Sequence, residues 1–447
     1  MAIQALLCYD AHAFSVQFVE LERHQFGGQT LVSFEPFEYR DGELTCEEVP
    51  LSDVARQIGT PVYVYSRARI EANYRHIAGA FALLNARVHY AVKANGNLAV
   101  LRVLNELGAG FDVVSAGELF RVLKAGADPA HVVFAGAGKT DADLAYALDA
   151  QVGQINAESA DELFALNRLV GERNMKQRVA LRLNPGVDPH TPHKHISTGH
   201  AGSKFGIELD EAESLVASAE RFPQLDIVAL HIHIGSQIPD PAPLAEALER
   251  LLPLVERSRS IRALDIGGGF PVAYREGETA TGPEEFARAV AETTRRVASR
   301  LEISIEPGRF IIADTGALVA QVQATKHSYG RRIITTDAGM TDLIRPALYE
   351  AYHPILPLAQ SAALDELTDV AGPVCESSDY LGYERALPAL KRGDHIAVLF
   401  AGAYGATMSS NYNSRPRAPE VLIEGDTFRV VRRRETWDDL VSAELIQ

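Results

Sequence analysis

The stretch D-I-G-G-G-F, Asp265 to Phe270, decides between two folds. Three glycines after a short apolar run make a loop whose backbone N–H groups can meet an anion. In a doubly wound open sheet such a fingerprint follows the first strand. Here it follows the seventh of the β-rich runs Val88–Val92, Phe111–Val114, His131–Phe134, Gly153–Asn156, Val179–Leu183, Ile227–Ile232 and Ile261–Ile266, and Leu301–Ile305 comes next. Segments of helical period fill the gaps: Leu98–Leu107, Ala116–Ala125, Asp141–Leu148, Ser159–Val170, Leu209–Ala219, Pro243–Arg257 and Pro283–Ser299. Ser115 opens S-A-G-E, which predicts a capping box, and Pro283 sits at a first-turn position. Strands alternating with helices give a parallel sheet, and eight such units fit a closed α/β barrel, (β/α)8 and TIM-like.

After Pro307 the pattern changes. Ala317–Thr325, Arg332–Thr336, His395–Phe400, Val421–Ile423 and Thr427–Arg432 read as strands of a mostly antiparallel β domain. Before the barrel, Leu51–Gly59 reads as a helix and Val62–Tyr65 as a strand that joins this second domain. The expected division is 1–33 as an N-terminal extension, 34–66 as the first part of the β domain, 67–310 as the barrel and 311–447 as the rest of the β domain.

A chain of 447 residues with 47% hydrophobic and 23% charged residues is an ordinary globular composition, long enough for two domains. Its formal net charge of −16 argues against nucleic acid or an anionic membrane as partner. Arg432–Arg434 is a short basic run that reads as a solvated face. Three cysteines, Cys8, Cys46 and Cys375, fit a reducing cytoplasm and no disulfide framework. No apolar run approaches a membrane span. The start M-A-I-Q-A-L-L-C lacks a basic segment and a long apolar core, so a lipoprotein signal is rejected.

In such a barrel the active site lies at the carboxyl ends of the strands. Lys93 follows the first strand, in H-Y-A-V-K-A-N-G-N. Asp112 lies in the second, Asn156 at the end of the fourth, and Arg182 with Asn184 in the fifth. The sixth ends in H-I-H-I-G-S-Q (His231–Gln237), Gly267–Gly269 follows the seventh, and E-P-G-R (Glu306–Arg309) the eighth. The glycine loop and Gly308 stand where barrels bind phosphate, and Ser236 can add a hydroxyl. A phosphate site, a strand-end lysine and a glutamate suit pyridoxal phosphate. Its aldehyde condenses with an amine, and a carboxylate such as Glu306 keeps its ring nitrogen protonated. A rim salt bridge between Glu306 and Arg309 is the plainer reading of that glutamate. His233 can cover the ring. His231 and His233, two apart on a strand, also have a metal-ligand spacing. No further ligands are apparent, so no metal is expected, and His231 reads as a core or rim histidine.

Six segments together, Y-A-V-K-A-N, L-H-I-H-I-G-S-Q, D-I-G-G-G-F, E-P-G-R, R-P-A-L-Y-E-A-Y-H-P and G-P-V-C-E-S-S-D, resemble the diaminopimelate decarboxylases from about Phe37 to the C-terminus. These are fold-type III pyridoxal-phosphate enzymes with an alanine racemase-like barrel, related to ornithine and arginine decarboxylases. The resemblance implies roles. Lys93 is similar to the Schiff-base lysine and His233 to the ring-stacking histidine. Ser236, Gly268 and Gly308 match phosphate contacts, and Glu306 the partner of the pyridine nitrogen. Arg309, Arg345 and Tyr349 match positions that hold substrate carboxylates. Glu376 matches the one that meets the distal amine, Tyr404 a tyrosine near cofactor and substrate, and Cys375 the cysteine that reprotonates the α-carbon. In this family the cysteine loop comes from the partner subunit, which implies a homodimer. C-E-S-S-D has serine where relatives often have glycine.

The implied activity is decarboxylation of meso-2,6-diaminopimelate to L-lysine and CO2, the last step of lysine biosynthesis. A planar Arg345 fork suits a distal carboxylate. The alternatives are a related decarboxylase of D-ornithine, D-lysine or a carrier-linked amino acid, an inactive pyridoxal-phosphate binder, and a metal hydrolase built on the histidine pair.

Overall fold

The structure, a computed structural model, describes residues 29–31, 34–189, 191, 198–200, 202–362 and 365–445. Eight parallel strands close on themselves. They are β1 (Arg87–Ala91), β2 (Gly110–Val113), β3 (Val132–Phe134), β4 (Gln154–Ala157), β5 (Gln177–Asn184), β6 (Leu225–Ile232), β7 (Ala263–Asp265) and β8 (Glu302–Ile305). Each pairs with the next in chain order, and β8 pairs with β1 through Ser304↔Arg87 and Ile305↔Val88. The ring has no topological switch point, so the open-sheet alternative is excluded and the loops at the strand ends converge on one rim.

The connecting helices start where short polar side chains can satisfy free N–H groups. Asn97 accepts from Ala99 N at the head of Leu98–Glu106, and Ser159 from Glu162 N at the head of Ala160–Glu172. The box expected at Ser115 is half formed: Ser115 accepts from Glu118 N, but Glu118 Oε2 takes the N–H of Val114 at 2.8 Å. A closed box stands instead at Thr140 and Asp143. Pro283 opens Pro283–Thr294, as its fixed φ favours. Apolar stripes such as Leu244, Leu248, Leu251 and Val255 on Ala242–Arg257 bury against the barrel's outer face, within one continuous core.

The strand Val62–Ser66 leaves the barrel sequence and joins the second sheet. It pairs antiparallel with Gly316–Ser328 and parallel with Glu420–Glu424. Gly316–Ser328 also pairs with Arg331–Thr336 and His395–Val398. Two strands unmarked in the sequence, Glu366–Ala371 and Tyr380–Leu387, extend this sheet, and Glu366–Ala371 runs parallel to Arg331–Thr336. The expectation for residues 1–33 lies outside the described residues except at 29–31, whose backbone pairs antiparallel with Thr279–Thr281. Among the described residues no helix is long and apolar enough to cross a membrane.

Candidate active site

One pocket at the barrel rim is lined by Lys93, His233, Ser236, Glu306, Gly308, Arg309 and Tyr404. Lys93 lies on the single 3-10 turn Val92–Ala94 that ends β1. That turn swings its side chain off the strand and into the mouth, where it keeps 37% exposure. Its Nζ donates to Asp112 Oδ2 at 2.8 Å from the neighbouring strand β2. Burial works to lower the Lys93 pKa, but the carboxylates of Asp112 and Glu306 outweigh it and hold the ammonium above the usual lysine value.

Glu306 follows β8 and is buried, 4% exposed. It does not form the rim salt bridge with Arg309. Its Oε2 pairs with His231 Nε2 at 3.1 Å, and its Oε1 has no partner. Burial first, then the nearby Asp112 carboxylate, raises its pKa, against the pull of Lys93. Asp265, at the end of β7, accepts the N–H of Gly267 at 2.9 Å and is pushed up to about 7 by burial and by Glu306. Burial lowers His231 to about 4, so its ring is neutral at pH 7. Ligating atoms of His231, Asp265 and Glu306 all lie within 4.8 Å of one another. This is the one metal-sized cluster among the described residues, and His233 is absent from it.

His233 serves the glycine loop instead. Its Nδ1 accepts from Gly268 N at 3.1 Å, which leaves the proton of the neutral ring on Nε2. Gly267 and Gly269 have φ of +70° and +105°, where a side chain is strained. At Gly268 a Cβ would run into the carbonyl oxygen of Glu306, and at Gly308 it would lie 3.0 Å from Ala94 Cβ and 3.1 Å from Ala91 Cβ. The loops after β7 and β8 therefore pack backbone to backbone beside the pocket. Tyr404 carries a positive φ of +56° and donates its N–H to Ala94 O at 2.8 Å, so a strained tyrosine is pinned next to Lys93.

Ser236 and Arg309 are bonded to each other. Arg309 Nη2 donates to Ser236 Oγ at 3.0 Å, and its Nη1 to Tyr274 Oη at 3.1 Å. The Arg309 guanidinium also lies 4.8 Å from the Tyr404 ring, and that of Arg345 lies 5.0 Å from the Tyr274 ring. Burial would raise the Tyr274 pKa, but Arg345 and Arg309 bring it below its usual value. Arg309 and Arg345 are 8% and 7% exposed, and among the described residues neither is ion-paired with a carboxylate. Two buried cations without a counter-ion form an anion site.

Tyr349 lies at the end of the short helix Arg345–Tyr349 and is half-buried. Cys375 and Glu376 are not brought to this pocket within the chain. They are exposed, on a turn between Glu366–Ala371 and Tyr380–Leu387. That turn is built: Asp379 accepts from Met340 N and Val374 N, each at 2.6 Å. Cys375 N donates to Asn413 Oδ1 at 3.0 Å, and Tyr412 Oη donates to Glu376 Oε1 at 3.0 Å. Sequence reasoning missed Asp265, Tyr274 and the Lys93–Asp112 pair. Asp265 stands two residues before the first glycine of the triplet and was within reach of motif reading; Tyr274 carries no local signal.

The residues fit pyridoxal phosphate. The orphaned Glu306 oxygen suits a ring N–H, the glycine-walled loops at Gly268 and Gly308 offer backbone to a phosphate on the side of Ser236, and Lys93 stands in the same pocket. Fold and pocket together suit a pyridoxal-phosphate enzyme, and the family match makes the class that of the pyridoxal-dependent decarboxylases. The family model described as "Pyridoxal-dependent decarboxylase, pyridoxal binding domain" matches residues 67–313.

The chain is 48% identical to the diaminopimelate decarboxylase of Pseudomonas aeruginosa, over 91% of this chain and 98% of that one. It is 42% identical to that of Aquifex aeolicus, over 93% and 99%. The crystal structure of diaminopimelate decarboxylase from Helicobacter pylori complexed with L-lysine superposes with a TM-score of 0.84 at 37% identity, covering 88% of this chain and 99% of that one. The chain belongs to the diaminopimelate decarboxylase family.

Proposed function

We propose that the chain converts meso-2,6-diaminopimelate to L-lysine and CO2 at the Lys93 pocket, as a cytoplasmic homodimer. The observation that carries the substrate reading is the pair Arg309 and Arg345: both buried, and with Tyr274 rather than a carboxylate beside them. A simple diamine would leave those charges uncompensated, whereas a substrate with a second carboxylate neutralises them. In this reading Arg345, Tyr349 and Arg309 hold substrate carboxylate.

Bound at this site, pyridoxal 5'-phosphate would take up the electron pair left when CO2 departs. Lys93 would hold its aldehyde carbon. Ser236, Gly268 and Gly308 would hold the phosphate, and Glu306 the ring nitrogen, with His233 and Tyr404 beside the ring. The raised pKa of Glu306 keeps a proton available at the buried carboxyl, where the ring nitrogen needs one. Cys375 of the partner would return a proton to the α-carbon, and Glu376 of the partner would meet the distal amine. Both residues lie on an exposed, internally bonded turn, which supports a role in reaching another subunit.

In the same reading the barrel spans 67–310, which the family match over 67–313 supports, and the β domain comprises 34–66 and 311–447. Turnover of meso-diaminopimelate compared with D-ornithine and D-lysine tests the assignment. A faster reaction with either simple diamino acid would overturn it.

A further inference from the structure

We infer that His353 is a positioning residue that aims the Arg345 guanidinium at the substrate. The inference rests on the reading of Arg345 as a carboxylate holder. His353 is fully buried and does not line the pocket. Its Nδ1 lies 2.9 Å from the carbonyl oxygen of Leu399. A carbonyl can only accept, so Nδ1 carries the proton. The neutral ring then presents Nε2 as an acceptor, and that atom lies 2.9 Å from Arg345 Nη1. The imidazole can therefore receive one of the five N–H groups of the guanidinium in only one tautomer.

The backbone holds this relay. Arg345 starts a helix of one turn, which Ala351 closes by donating its N–H to Arg345 O at 3.3 Å. The chain then enters the strand Ile355–Pro357, which pairs with His395–Val398, and Leu399 N donates to Pro354 O at 2.8 Å. Leu399 is thus anchored on the same ladder that presents His353. Tyr274 completes the mount: its ring meets His353 edge-on at 5.8 Å and lies against the guanidinium. Burial and the charges of Arg345, Arg385 and Arg309 keep His353 neutral, although its bond to Leu399 acts the other way. An aliphatic side chain at 353 would leave Arg345 with its charge and its place in the chain but without its orientation.

The test is a double-mutant cycle on the holoenzyme with His353→Leu, Arg345→Leu and the pair, with His353→Gln as the conservative variant. Pyridoxal phosphate absorbance and binding are read for each. His353→Leu is expected to raise KM for meso-diaminopimelate about tenfold to a hundredfold, the worth of a hydrogen bond to a charged group. Cofactor affinity stays the same, and His353→Gln, which keeps an acceptor, recovers part of the loss. The double variant is no worse than Arg345→Leu, because His353 acts through Arg345. Unchanged KM in His353→Leu, additive losses, or equal loss of cofactor in the Leu and Gln variants would overturn the inference. A failure of the underlying reading looks different: Arg345→Leu itself leaves KM unchanged. L-lysine and cadaverine as competitors give a second readout, since only L-lysine has a carboxylate for Arg345. His353→Leu should weaken L-lysine and leave cadaverine unaffected.

Discussion

His231 Nε2 lies 3.1 Å from Glu306 Oε2, with both side chains buried and Asp265 beside them. A neutral imidazole thus steadies one oxygen of the carboxyl and leaves the other without a protein partner. Replacing Glu306 by Gln keeps the shape and removes the charge that a ring N–H would meet. Steady-state kinetics should show kcat lowered on the order of a hundredfold, with an altered cofactor absorbance and a folded protein.

Asp265 gives the cofactor-free protein a pH signature. Its pKa is about 7 in the folded chain, raised from about 3.9 in an unfolded one. A raised carboxyl pKa favours folding fully below the unfolded value, and the benefit is lost as pH rises through the folded value. Stability should therefore decline between about pH 4 and pH 7 on account of this group. In Asp265→Asn that decline is absent, so the variant gains Tm relative to the parent at pH 8 compared with pH 4. Thermal melts across that range check the sign.

Gly268 tests the loop. A Cβ there meets the carbonyl oxygen of Glu306, a backbone atom that cannot swing away. Gly268→Ala should cost about 1–3 kcal/mol of stability and weaken binding of pyridoxal phosphate, read by absorbance titration. Gly277, with open space around its Cβ position but a φ of +79°, is the control for backbone strain alone.

The proposed dimer predicts complementation. Lys93→Ala and Cys375→Ala subunits should each be inactive alone, and in the proposed dimer every site takes its lysine from one chain and its cysteine from the other. Random mixing in a two-fold dimer makes half the dimers mixed, each with one intact site, so about a quarter of parental activity returns. Activity assays after subunit exchange give the answer; no recovery would place both residues in the same chain's site.

The eight barrel strands were legible because each is a short apolar run bounded by turn residues and followed by a helical stripe. The boundaries shifted by one or two residues, as at Val92, which begins a turn rather than ending β1. Glu366–Ala371 and Tyr380–Leu387 escaped notice because their faces are partly solvated and their sequences, ELTDVA and YLGYERAL, carry charge inside the strand. At the site, Lys93, His233, Ser236, Glu306, Gly308, Arg309 and Tyr404 converge on one pocket, in keeping with the motifs that named them. Tyr274 acts through Arg345 and His353, 71 and 79 positions away, and the acceptor role of His353 is fixed by Leu399, 46 positions away, so no local pattern encodes either.

In the proposed reaction Lys93 would carry the cofactor on which CO2 is lost from meso-diaminopimelate. The most direct measurement is CO2 release from that substrate with and without added pyridoxal phosphate, alongside borohydride reduction and peptide mass analysis. The expected results are cofactor-dependent release, a reduced cofactor adduct on Lys93, and neither in Lys93→Ala. Undiminished decarboxylation by Lys93→Ala, or an adduct on another lysine, would contradict it.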